Sequence, residues 1–110
     1  MRAKARAHSL SQYLGVGLAY RAYQRGCSGD IAASRADRLE SAVLMSPAEG
    51  MEGWFIARCM NGMAAVLTGD LDDAHAALSD AQQRALPSTH LRRSIRQLSA
   101  AIAEREASST

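Results

Sequence analysis

This sequence predicts an all-α fold: a stack of two helical hairpins with a closing C-terminal helix, about five helices in one domain over residues 1–110. Three observations carry that expectation. Apolar residues recur at three- and four-residue steps, and no run alternates apolar and polar with Val, Ile or Thr enrichment. Alanine supplies much of the 47% apolar content, and one Phe and one Trp leave little aromatic mass for a β-sandwich. Gly-Asp turns followed by a helix-stopping proline occur twice at the same spacing, as Gly29-Asp30 with Pro47 and Gly69-Asp70 with Pro87.

Residues 1–8 read as a loose lead-in or the frayed start of a helix, with Ser9 or Ser11 able to cap the first full helix. That helix is expected from Leu10 to about Arg25, with Leu10, Tyr13, Leu14, Leu18, Ala22 and Tyr23 near one face. Gly15 and Gly17 each cost a helix about 1 kcal/mol relative to Ala, which suggests that a neighbouring backbone comes close. Gly26 to Gly29 form a turn, and Asp30 is placed to cap a second helix from Ile31 to Met45. That helix carries Ile31, Ala32, Ala36, Leu39, Ala42, Val43 and Met45 as its apolar set, and Ser46-Pro47 ends it.

The third helix, from Met51 or Glu52 to Thr68, is apolar on nearly all sides (Trp54, Phe55, Ile56, Cys59, Met60, Met63, Val66, Leu67) and should lie at the centre. The fourth comes after the Gly69 turn, from Leu71 to Leu86. Gly62 and Ala65 on the third helix, with Ala74 and Ala81 on the fourth, let these two pack closely. Ser88 or Thr89 caps the fifth helix, whose stripe of Leu91, Ile95, Leu98 and Ile102 opposes an exposed face of Arg92, Arg96 and Glu106. Residues 107–110 read as tail.

The order Gly62, Gly69, Ala74, Leu78, Ala81 and Pro87 resembles the tetratricopeptide repeat. That resemblance implies stacked antiparallel helix pairs with a groove for a partner segment. A second, narrower resemblance covers about residues 14–80. It rests on Gly26-Cys27, Ala36 with Leu39-Glu40, Ile56-Ala57-Arg58, Val66 to Leu71 and Ala76-Ala77-Leu78. On these residues the chain looks like the tetratricopeptide-type subunit of type III secretion needle chaperones, bacterial cytoplasmic proteins that cradle a helix of a needle protein.

A net charge of +2, from 13 basic and 11 acidic residues, does not announce a nucleic-acid binder. No apolar stretch approaches the roughly 20 residues of a membrane span, and nothing resembles a secretory signal. Cys27 and Cys59 lack metal spacing and are expected as free thiols in a reducing, cytoplasmic setting, Cys59 as a small buried hydrophobe. Gly15-Val16-Gly17 lacks the strand and third glycine of a dinucleotide loop. His8, His75 and His90 lie far apart, and Asp70, Asp72 and Asp73 lack the closing Glu of a calcium loop, so helix-dipole complementation is the simpler reading. No nucleophile–base set or carboxylate pair converges at readable spacing, so no enzyme, cofactor or metal is expected.

What remains is an apolar surplus beyond what two short hairpins need: Tyr13, Tyr20, Tyr23, Met51, Trp54, Phe55, Met60 and Met63. The expected function is therefore binding of another protein, as an amphipathic helix or extended segment, or self-association. The candidate contacts are Tyr13, Tyr20, Trp54, Met60 and Met63 in a groove lined by the first and third helices, with Arg92 and Arg96 at a charged rim. Two other readings are a regulatory helical-repeat domain of a bacterial transcription regulator and a nucleic-acid-binding domain using Arg92, Arg93 and Arg96.

Overall fold

The computed structural model describes residues 2–46, 51–84 and 88–108; the side chains of residues 2–9 and of Met51 lie outside that description. The helix stops expected at Pro47 and Pro87, the basic set Arg2, Lys4 and Arg6, the cap at Ser9, and His8 therefore fall outside the described residues or side chains. Five helices run in order: α1 (Arg2–Cys27), α2 (Ile31–Leu44), α3 (Met51–Thr68), α4 (Leu71–Gln83) and α5 (Thr89–Ser108). No strand occurs among the described residues. α1 begins at Arg2, so most of the expected lead-in is helical; its Ala, Arg and Lys are good helix formers and nothing interrupts them. At the other end α5 runs on to Ser108, two residues into the expected tail, where Ser108 Oγ donates back to Glu104 O (3.0 Å).

The helices touch in a fixed order. α3 meets all four others, α1 and α2 pack on one side of it, and α4 and α5 pack on the other. Among the described residues, neither α1 nor α2 meets α4 or α5 at the backbone. Gly53 lies beside Gln12 and Gly26 beside Leu67, so α1 and α3 run parallel. Gly62 lies against Leu98, and Phe55 clusters with Leu91, so α3 and α5 are parallel as well. The result is an all-α stack of two hairpins with a closing helix.

The two turns share one geometry. Gly29 (φ +82°) and Gly69 (φ +79°) both take the left-handed conformation that glycine adopts without steric cost. Each ends its helix with the same pair of backbone bonds. Asp30 N–H donates to Arg25 O (2.9 Å) and Gly29 N–H to Gly26 O (3.2 Å); Asp70 N–H donates to Ala65 O (2.8 Å) and Gly69 N–H to Val66 O (3.2 Å). The aspartate then opens the next helix. Asp30 Oδ1 accepts from Ala33 N–H (3.3 Å), the expected cap, whereas the Asp70 carboxylate makes no such bond. Ser88 Oγ accepts from Leu91 N–H at the start of α5 (3.4 Å).

Around α3 the core has two parts. Ala65, Val66, Ala74, Ala77, Leu98 and Ile102 form one cluster; Trp54, Phe55, Cys59, Ala81 and Leu91 form the other. A side chain at Gly62 would strike Leu98 and Ala77, so this glycine is required by close packing of α3 on α4 and α5.

The first hairpin reverses the sequence-based expectation. α2 buries Ser34, Asp37 and Ser41, while Leu39 and Val43 of its apolar set are 67% and 84% exposed. The reason lies on α1, which presents Gly15, Ala19, Ala22 and Gly26 on one stripe. Small residues bring the α2 backbone close enough for hydroxyls to reach across. Ser34 Oγ donates to Ala22 O and Ser41 Oγ to Gly15 O, both at 2.6 Å. A side chain at Gly15 would collide with Met45. Leu10, Tyr13 and Leu14, expected on one face with Ala22, are turned outward while Ala22 is buried, because the glycine–alanine stripe has taken the inner position.

Candidate functional site

Two clefts flank α3, one on each side, because among the described residues the backbone of α1 does not approach that of α5 across it, nor that of α2 that of α4. The first opens between α1 and α5. Its floor is Met63, Val66 and Leu67 of α3, one wall is Tyr23 of α1, and the other is Ala101, Glu104, Arg105 and Ser108 of α5. It encloses about 300 Å³. Met60 is half-buried and lies one turn before Met63 on α3. The floor is apolar and the rim carries one acidic and one basic residue.

The second cleft lies between α2 and α4. Ala42, Met45, Trp54, Ala57, Arg58, Asn61 and Asp80 line about 190 Å³ of it. Its walls are tied by charge. Arg58 donates to Asp80 Oδ2 (2.8 and 3.0 Å), joining α3 to α4. Arg38 donates to Asp70, Asp73 and the Thr68 hydroxyl, joining α2 to the start of α4. Buried Asn61 donates from Nδ2 to Ser41 Oγ (3.1 Å), while its Oδ1 has no hydrogen-bond partner among the described residues. Arg84 lies over the Trp54 ring, 5.4 Å from its centroid.

Asp70 is the hub of the charged strap. Arg35 donates to it twice (2.8 and 3.0 Å), Arg38 once (2.9 Å) and Thr68 Oγ1 once (2.7 Å). These donors, Arg35 foremost, hold its carboxyl far below the usual carboxylate range, against the opposing effect of partial burial. Asp37, 4% exposed at the side chain, binds Arg21 through both oxygens and also pairs with Arg25 (3.1 Å). The Arg21 hydrogen bonds lower its pKa despite burial. Burial pushes the Cys59 thiol up to about 11, which leaves it un-ionised and packed as a small hydrophobe; Cys59 and Cys27 are both free. His75 meets Glu106 at 2.7 Å on the exposed side of α4 and α5. No group of three His, Cys, Asp or Glu that could hold a metal occurs among the described residues.

The residues singled out from the sequence do not form one surface. Met63 floors the α1–α5 groove with Met60 beside it, but Trp54 is only 9% exposed and lies in the opposite cleft and its core cluster. Tyr13, 79% exposed, and Tyr20 do not line either cleft. Arg92, Arg93 and Arg96 lie on α5 away from its buried stripe of Leu91, Leu98 and Ile102. The chain matches no known protein family, curated protein or solved structure. Sequence reasoning missed the Asp70 strap. The signal was Arg35 and Arg38, one helical turn apart on α2, with an aspartate-rich turn following the next helix. Among the described residues, no helix is long and apolar enough to cross a membrane.

Proposed function

We propose that this chain is a protein-binding module that holds an amphipathic helix of another protein in the α1–α5 groove, without catalysis. The observation that carries the reading is the apolar floor of Met63, Val66 and Leu67 left open between two helices that do not meet. Methionine suits such a floor, because its flexible thioether adapts to different apolar side chains. Glu104 and Arg105 on the rim give a docked helix a charge of each sign for orientation. The finer assignment, a tetratricopeptide-type chaperone acting in the bacterial cytoplasm, draws support from the sequence resemblance and from the order in which the helices stack.

The test is retention of a partner by the full chain from lysate of its source, compared with Met63→Glu and with Arg92→Ala. The groove reading expects a small helical protein held at one-to-one stoichiometry by the parent and by Arg92→Ala, and released by Met63→Glu at unchanged helicity. Equal retention by Met63→Glu would overturn it. Retention of nucleic acid that collapses with salt and with loss of Arg92, Arg93 and Arg96 would replace it with the arginine-face reading.

A further inference from the structure

Most glycines of the described chain have a visible reason or a neighbour. Gly29 and Gly69 need their positive φ, Gly15, Gly26 and Gly62 leave little or no room for a side chain, and Gly53 has Gln12 and Met45 at ordinary contact distance. Gly17 differs: beyond its chain neighbours and the surrounding backbone of α1, no atom lies within 4 Å of where its side chain would be, and its φ is not positive. A glycine inside a helix, exposed and unconstrained, is destabilising relative to alanine.

Gly17 also has a distinctive setting. At about 100° per residue, Leu10, Tyr13, Leu14, Gly17 and Tyr20 share one side of α1, opposite the Gly15, Ala19, Ala22 and Gly26 stripe. The spacing of positions 10, 13, 17 and 20 is the alternating three–four step of a helix that packs along a second helix. Leu10, Tyr13, Leu14 and Tyr20 are exposed by 61%, 79%, 56% and 45%. A tyrosine can bury roughly 150–250 Å², so the two partly exposed tyrosines bring roughly 250 Å² and the two leucines a comparable area. Two copies of the stripe together reach about 1,000 Å², the size at which specific interfaces begin.

We propose that the chain pairs with a second copy of itself through this stripe, the two α1 helices crossing antiparallel at Gly17. Two-fold pairing places Gly17 against its own copy, where the missing side chains let the helices approach closely. It also sets Leu14 against Tyr20 of the second copy, twice over, and lays Tyr13 beside the Arg21 stem and Leu10 beside Gln24. Antiparallel alignment opposes the helix dipoles favourably, whereas a parallel pair would set like ends side by side. The surface is separate from the Met63 groove, so pairing leaves that groove open.

The experiment is light scattering of the full chain across a concentration series, with Leu14→Glu and Gly17→Leu as variants and circular dichroism to check helicity. The expected result is a mass twice the chain's 11.8 kDa that falls to the single-chain value in both variants. Gly17→Leu should melt at the same or a higher temperature than the parent at monomeric concentrations, because its side chain meets nothing within one copy. A parent that stays monomeric throughout, or a dimer that survives Leu14→Glu, overturns the proposal. In a Cys27→Ser background, Gly17→Cys should form an intermolecular disulfide on mild oxidation and Leu10→Cys should not. The reverse pattern would overturn the antiparallel crossing.

Discussion

The two hairpins share a turn and differ in what holds them together. α1 and α2 meet through glycine and alanine on one side and Ser34, Asp37 and Ser41 on the other, joined by hydroxyl-to-carbonyl bonds and the Arg21–Asp37 pair. α3, α4 and α5 meet through Phe55, Ala65, Ala74, Ala77, Ala81, Leu91, Leu98 and Ile102. One chain thus uses both routes to close helix packing. The apolar seam gains stability from area removed from water and loses it in proportion to volume deleted. The polar seam gains little net stability per bond, but leaves a costly unpaired group when one partner is removed.

Deletion in the apolar seam should be the most damaging change. Phe55→Ala, at a fully buried position beside Leu91 and Ala81, is expected to cost about 3–5 kcal/mol by chemical denaturation. A cost near 1 kcal/mol would mean that the second hairpin is no more densely packed than the first.

The serines sharpen the contrast from the other side. Ser41→Ala deprives buried Asn61 Nδ2 of its acceptor and should cost about 1–3 kcal/mol. Ser34→Ala removes only a donor to Ala22 O, a carbonyl inside the α1 backbone ladder, and should cost about 1 kcal/mol or less. Equal losses for the two would show that Asn61 is not part of the seam's energetics.

Where the hairpins agree, mutations should agree too. Gly29→Ala and Gly69→Ala each force alanine into left-handed backbone and should each cost about 1–2 kcal/mol. A difference beyond that range would separate two turns that share the same backbone bonds.

Acid provides the gentlest separation. Asp37 in the first hairpin and Asp70 in the turn of the second, tied to α2 by Arg35 and Arg38, both have folded pKa values below the ordinary range, so their stabilisation is present above the unfolded value of about 3.9. It is lost as pH falls through the folded values. Little change is expected by circular dichroism from neutral pH down to about 5, then a progressive loss below about 4. Asp70→Asn should weaken that acid dependence. An unchanged acid limb would remove Asp70 from the account.

The five helices are legible in the sequence because their punctuation is local. Asp30, Gly29, Gly69 and Ser88 act through residues three to five positions away, which sequence alone displays. The central place of α3 is legible from its apolar residues on all sides. The inner faces of α1 and α2 are not, because assigning them by hydrophobicity favours Leu39 and Val43 over Ser34 and Ser41. The correct choice depends on Gly15, Ala19, Ala22 and Gly26 lining up on a different helix, a pairing that no single-helix pattern contains. Trp54 is hard to place for a related reason. A helix apolar all round does not show which of its residues face which neighbour. Met63 lies in a groove because it sits on α3 between α1 and α5, whose backbones do not meet among the described residues.

The stacking order also bears on how the chain reaches this state. Each helix touches only the next one or two along the chain, so no contact waits for a long loop to close. Such a topology belongs with the fast-folding helical proteins, in the microsecond-to-millisecond class. During synthesis α1 and α2 emerge first. Their serine–carbonyl bonds lie wholly within residues 15–41, so they draw on no residue of α3.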